Sequence, residues 1–264
     1  MPKPAPSAIV ALAMLTLGAA LTAWRERPPS FSRYHANQPQ DKPRKAAGGK
    51  LVAGTITELP AVSPASDAFL RLVAKGVAPP VRRPPAGVPP ALADLLSRVP
   101  RPEYWRDPTD PSCPVTWAHE ATHGMTAELS RSGRWVIYLL DGMAVEFAGH
   151  PSVTIGQVAA SVPAHQRGQV FDLYLVQQRR DWDREPLYLL DEWTCYVHGS
   201  IARRQAGLER REETERYAAE MERYCRAMLS LVERRQPDYP DLGKLREFIA
   251  WQSNRLDDLT AVLP

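Results

Sequence analysis

His119-Glu120-Ala121-Thr122-His123 decides how this chain is read. Residues four apart lie one above the other on a helix, so His119 and His123 can reach a single ion. Glu120 sits about a third of a turn round. From there it can touch a water beside that ion but is poorly placed to ligate it. H-E-x-x-H is the spacing by which a helix offers two imidazoles to zinc and a carboxylate to the water it activates. The pattern implies a metal hydrolase, and first among these a zinc-dependent peptidase.

The flanks predict a helix. Val115, Ala118, Thr122, Met125 and Leu129 follow three-four spacing and form one largely apolar stripe, with the two histidines along its edge. Pro114 suits the helix start and Ser130-Arg131-Ser132-Gly133 its end. Downstream, RWVIYLL and MAVEFAG are joined by Asp141-Gly142, which favours the positive backbone angles of a tight hairpin. Such a hairpin either lines a cleft, where an extended peptide adds as a strand, or braces the histidine helix; bracing is the commoner role. Residues 152 to 180 read as helical around Pro163, and helical propensity is high from Leu187 to Arg235. In that second stretch Tyr217, Met221, Tyr224, Met228 and Leu231 repeat at four-three spacing, the mark of a packed core stripe. Pro237 and Pro240 break the helix, and a last one is expected from Leu242 to about Leu259. The expected fold is α+β: mainly helical, with a small hairpin sheet.

Upstream the character is different. Ala8 to Trp24 is an almost unbroken apolar run behind Lys3, closed by Arg25-Glu26-Arg27. Residues 1–26 read as a signal peptide or N-terminal membrane anchor, so export is expected, with the protein secreted or held at the cell envelope. Nineteen of the 26 prolines precede Cys113, and 27–65 reads as a proline-rich flexible linker. Residues 66–102 hold two short apolar segments, DAFLRLVAKG and PALADLLSRV, expected as small helices packed on the body, the alternative being recognition segments in a mostly disordered arm; the body is placed at 103–264. The net charge of +3 among evenly mixed charges gives no footprint for nucleic acid. Three cysteines allow at most one internal disulfide and contain no C-x-x-C.

A catalytic zinc usually has three protein ligands and one open position. The longer pattern H-E-x-x-H-x-x-G-x-x-H is excluded, because Thr126 and Leu129 stand where it needs Gly and His. A glutamate on a second helix is the other common solution. In Leu189-Leu190-Asp191-Glu192-Trp193-Thr194-Cys195-Tyr196-Val197-His198-Gly199, the apolar stripe is Leu190, Trp193, Val197 and Ile201. Glu192, Cys195, Tyr196 and Gly199 share the adjoining face. An acid in such a stretch is costly unless neutralised, which a divalent cation would do. Glu192 is the leading third ligand, with His198, Asp191 and His165 as rivals. Gly199 would let a neighbouring helix approach closely. Tyr188, one turn before Glu192, and Tyr196, one turn after it, are candidate oxyanion donors, with His165 more distant.

WAHEATHG and PLYLLDEWTCYVHG together resemble the glutamate-type zincin metallopeptidases, the gluzincins. More narrowly they resemble bacterial proteins with an H-E-x-T-H-G helix followed by a hairpin and a D-E-W helix. The resemblance covers roughly residues 113 to 202. It implies a zincin-like domain, Zn2+ bound by His119, His123 and Glu192, and Glu120 as general base in peptide-bond hydrolysis. The implied partner is a peptide or protein substrate, cell-wall peptide cross-links included for an exported protein. Two departures stand out: Tyr196 replaces the acid that many gluzincins carry four residues after the ligand glutamate, and the clear hairpin follows the histidine helix instead of preceding it. The competing class is an inactive or structural-metal binding module tethered at the envelope.

Overall fold

The computed structural model describes residues 69–84, 86–99, 114–130, 134–208 and 212–261. All lie in the unit running from Ile56 to Pro264. The expected signal or anchor (1–26) and the linker (27–65) fall outside the described residues, among which no helix is long and apolar enough to cross a membrane. What is described is mostly helical with one two-stranded antiparallel sheet, an α+β arrangement.

Helix α1 (Pro90–Arg98) is followed by α2 (Pro114–Leu129), which carries the histidine motif. Strands β1 (Trp135–Tyr138) and β2 (Ala144–Phe147) form the hairpin, with Trp135 opposite Phe147 and Tyr138 opposite Ala144. Its turn holds three successive positive φ angles, at Leu140 (77°), Asp141 (52°) and Gly142 (71°). Asp94 of α1 secures it by accepting from the Tyr138 hydroxyl at 2.6 Å and the Asp141 amide at 2.9 Å. Both edges of the hairpin are taken. On β1, the Val136 amide donates to Ser130 Oγ at 2.9 Å and the Tyr138 amide to Thr126 Oγ1 at 3.4 Å, both on or just past α2. On β2, Ala144 exchanges backbone hydrogen bonds with Ala74 at 2.9 and 3.0 Å, and the Glu146 carbonyl accepts from Lys244. The hairpin therefore braces α2 and leaves no edge for a peptide strand.

The stretch expected to be helical between 152 and 180 is divided. It holds α3 (Ile155–Ser161), a 3-10 turn at Ala164–Gln166, a π-helical segment at Asp172–Gln177 and the short α4 (Arg179–Trp182). Thr154 caps α3 with a reciprocal Thr154–Gln157 capping box. Next comes α5 (Tyr188–Gln205), in which every residue from Tyr188 to Arg203 is buried. Its end is set by Gly207 at φ +63°: Leu208 N donates to Arg203 O and Gly207 N to Arg204 O, the Schellman closure that glycine permits. This glycine splits the long run of helical propensity into α5 and α6 (Glu212–Arg235). On α6 the stripe Tyr217, Met221, Tyr224, Met228 and Leu231 is buried. Helix α7 (Leu242–Ala261) ends the described chain.

Helix α5 is the central helix of the described residues. It packs along α2 on one side and against α6 and α7 on others. The α2–α5 approach is close because Gly199 lacks a side chain: a Cβ there would lie 3.1 Å from the Val115 carbonyl oxygen and 3.2 Å from Val115 Cγ1. Helix α2 buries more than its single stripe. Trp117 and Ala121 are core residues, while Val115 and Leu129 at the stripe's ends are half-buried, since α1, β1 and α5 each cover a different side.

Candidate metal centre

His119 and His123 face α5 with 5% and 7% of their surfaces exposed, and Glu192 is fully buried opposite them. The two Nε2 atoms are 3.2 Å apart. Glu192 Oε2 lies 3.5 Å from His119 Nε2, and Glu192 Oε1 lies 3.4 Å from His123 Nε2. An ion held tetrahedrally at about 2.0–2.2 Å from nitrogen and oxygen donors needs them about 3.3–3.6 Å apart. The spacings here are of that order, with each imidazole facing a different carboxylate oxygen, and Glu192 Oε2 is buried with no hydrogen-bond partner. Cys195, one turn after Glu192, belongs to the same cluster: single donor atoms of His119, His123 and Cys195 all lie within 4.8 Å of one another. This buried group can hold a metal ion.

The partners around these donors fix their orientation. His123 Nδ1 meets Asp191 Oδ2 at 2.6 Å, which leaves Nε2 directed at the cluster. Asp191 is thus a support for His123, standing one residue before Glu192 instead of four after it. Tyr188 donates its hydroxyl proton to Glu192 Oε1. The same hydroxyl also faces Gln178 Oε1. The Tyr188 ring stacks on Trp182 at 4.5 Å and 5°. Tyr188 therefore orients the Glu192 carboxylate. Tyr196 places its ring edge-on to His119, with centroids 4.7 Å apart, and pairs its hydroxyl with that of Tyr174 at 2.8 Å.

Charge around the cluster is negative. Burial opposes ionisation of Glu192, but His123 and His119 outweigh it and hold its carboxyl well below the usual range. For His123 burial works against the charged form; Cys195, Asp191 and Glu192 overcome it and raise its pKa well above the imidazole value. Glu120, half-buried, has its carboxyl pushed up by desolvation, offset in part by the two histidines. Burial likewise pushes the Tyr188, Tyr196 and Cys195 groups upward. A divalent cation would satisfy the same negative surroundings.

Of the rival ligands, Asp191 supports His123, and the other two lie elsewhere. Thr122 spends its hydroxyl proton on the Ala118 carbonyl at 2.7 Å, so His198 Nδ1, 3.0 Å away, donates to Thr122 Oγ1. His198 is a neutral core histidine, its pKa driven well down by burial. His165 is exposed on the 3-10 turn. Sequence reasoning put Cys195 on the Glu192 face without giving it a role, and missed the support from Asp191 and the contributions of Tyr174 and Gln178. The last two come from the π-helical segment and the residue after it, and apolar spacing does not reveal a π turn. Comparison of the chain with family models, curated proteins and solved structures finds no match.

Proposed function

We propose that this protein is a zinc-dependent hydrolase of peptide bonds, of the gluzincin type, with His119, His123 and Glu192 as ligands and Glu120 as general base. The observation that carries the reading is a buried cluster: two imidazole nitrogens 3.2 Å apart, each 3.4 to 3.5 Å from a different oxygen of the Glu192 carboxylate, one of those oxygens lacking any other partner. Bound there, zinc supplies Lewis acidity and makes a water nucleophilic near neutral pH. Glu120 takes the proton from the attacking water and passes it to the leaving amine, and its upward-shifted pKa suits both halves of that transfer. Asp191 holds His123 in the Nδ1–H tautomer. Tyr188 spends its proton on Glu192 and works by positioning, which leaves Tyr196, against His119, as the better candidate for charge on the substrate oxygen. The N-terminal apolar run supports export, and peptides of the envelope, wall cross-links included, are then natural substrates.

Burial of all three donors favours a second reading, a structural ion in an envelope-tethered binding module. Glu120→Gln separates the two. We expect it to bind one zinc with unchanged affinity and to lose hydrolysis of an unfolded protein and of cross-linked wall fragments by at least about a hundredfold. Equal cleavage by both forms, or none by the wild type, contradicts the enzyme reading.

A further inference from the structure

Cys195 is the buried donor that the peptidase reading leaves unused. It sits three residues after Glu192 on α5, and residues at that spacing project from the same helical face. Both therefore point at the histidine pair of α2. Its side chain is fully buried, and its sulfur completes a group with His119 and His123 whose donor atoms lie within 4.8 Å of one another. The thiol and the Glu192 carboxylate thus both approach the same histidine pair, the carboxylate oxygens at 3.4 and 3.5 Å from the two Nε2 atoms. Four protein donors are the signature of a closed tetrahedral zinc site, whereas catalytic sites keep one position open. Thiolate is also among the donors zinc accepts most readily.

We propose that Cys195 is a displaceable fourth ligand that closes the metal centre in its resting form. The inference rests on the metal reading of His119, His123 and Glu192. Cys195 binds as the thiolate, releasing its proton to solvent on metal uptake. When it departs it takes one proton back, and the coordination position it vacates becomes available for substrate. No electrons are exchanged. Closure by a side chain of the same helix that carries Glu192 accounts for a cluster with almost no exposure.

The test is cobalt substitution of the full chain, because a thiolate bound to Co2+ gives an intense charge-transfer absorption that nitrogen and oxygen ligands do not. Wild type is expected to bind one Co2+ with this band. Cys195→Ser, close in shape, should bind one Co2+ and lose the band, while Cys225→Ala, altered at the other buried free thiol of the described residues, should keep it. Cys195→Ser loaded with zinc should hydrolyse unfolded protein faster than wild type. One Co2+ bound without the band overturns the proposal and leaves the metal reading standing, as does a band that survives in Cys195→Ser. Slower hydrolysis by folded Cys195→Ser contradicts displacement. No Co2+ bound by the wild type overturns both. If Cys195→Ser fails to fold, Cys195→Ala is read by the same band.

Discussion

Asp191 and Glu192 are neighbours in sequence with different tasks, divided by where a helix points them. Glu192 reaches both Nε2 atoms, while Asp191 holds His123 from behind at 2.6 Å. Outer partners of this kind are typically worth tenfold to a hundredfold in metal affinity. Asp191→Asn should therefore bind zinc about 10–100 times more weakly in a chelator competition, and unchanged affinity would remove Asp191 from the site. His150 offers a second single-residue test. Burial lowers its pKa from 6.5 to about 4, its ring packs on Trp135 at 4.6 Å, and its Nδ1 accepts from the Leu187 amide at the start of α5. As pH falls from 6.5 toward 4 the unfolded chain takes up this proton before the folded one, so stability is present above that window and lost within it. The loss is at most about 3 kcal/mol. His150→Gln keeps an acceptor without the titration, so its urea midpoint should fall less than the wild type's between about pH 7 and about pH 5. Parallel declines would contradict this.

At the scale of elements, the site depends on how closely α2 and α5 pack. Gly199→Ala puts a methyl 3.1 Å from the backbone oxygen of Val115, which has little room to retreat at the first turn of α2. The substitution gains about 1 kcal/mol of helix propensity. Overpacking of about 1–3 kcal/mol offsets it. We expect a stability change within about 2 kcal/mol but clearly weaker zinc binding, because the imidazoles and Glu192 sit on opposite helices. Unchanged zinc affinity would mean that the helix spacing does not set the site. Much of this was legible in the sequence. The histidine helix, the Asp141-Gly142 turn, the α6 stripe and the glycine at the helix contact all follow from local spacing or turn chemistry. The break at Gly207 was hidden inside a run of good helix formers, and the π segment has no apolar signature.

For the whole molecule, the described residues form a helical body whose central helix is buried on all sides and carries charge inward. Buried carboxylates in such a helix need a compensating positive charge, which the histidines provide when protonated and a divalent cation provides better. Candidate ligands could be named from the sequence because H-E-x-x-H is a local motif and Glu192 is an acid among apolar residues. Tyr174 and Gln178 could not be assigned, since their closeness to the site exists only after α5 and the π segment have packed together; Cys195 was legible as a neighbour of Glu192 on one helix face, but not its approach to the histidines of α2. The account turns on one ion between α2 and α5. Crystals of the full chain soaked in zinc and measured at its absorption edge test that most directly. The account predicts one anomalous peak bonded to His119 Nε2, His123 Nε2 and the Glu192 carboxylate. No peak there, or a peak at other side chains with Glu192 unliganded, would contradict it.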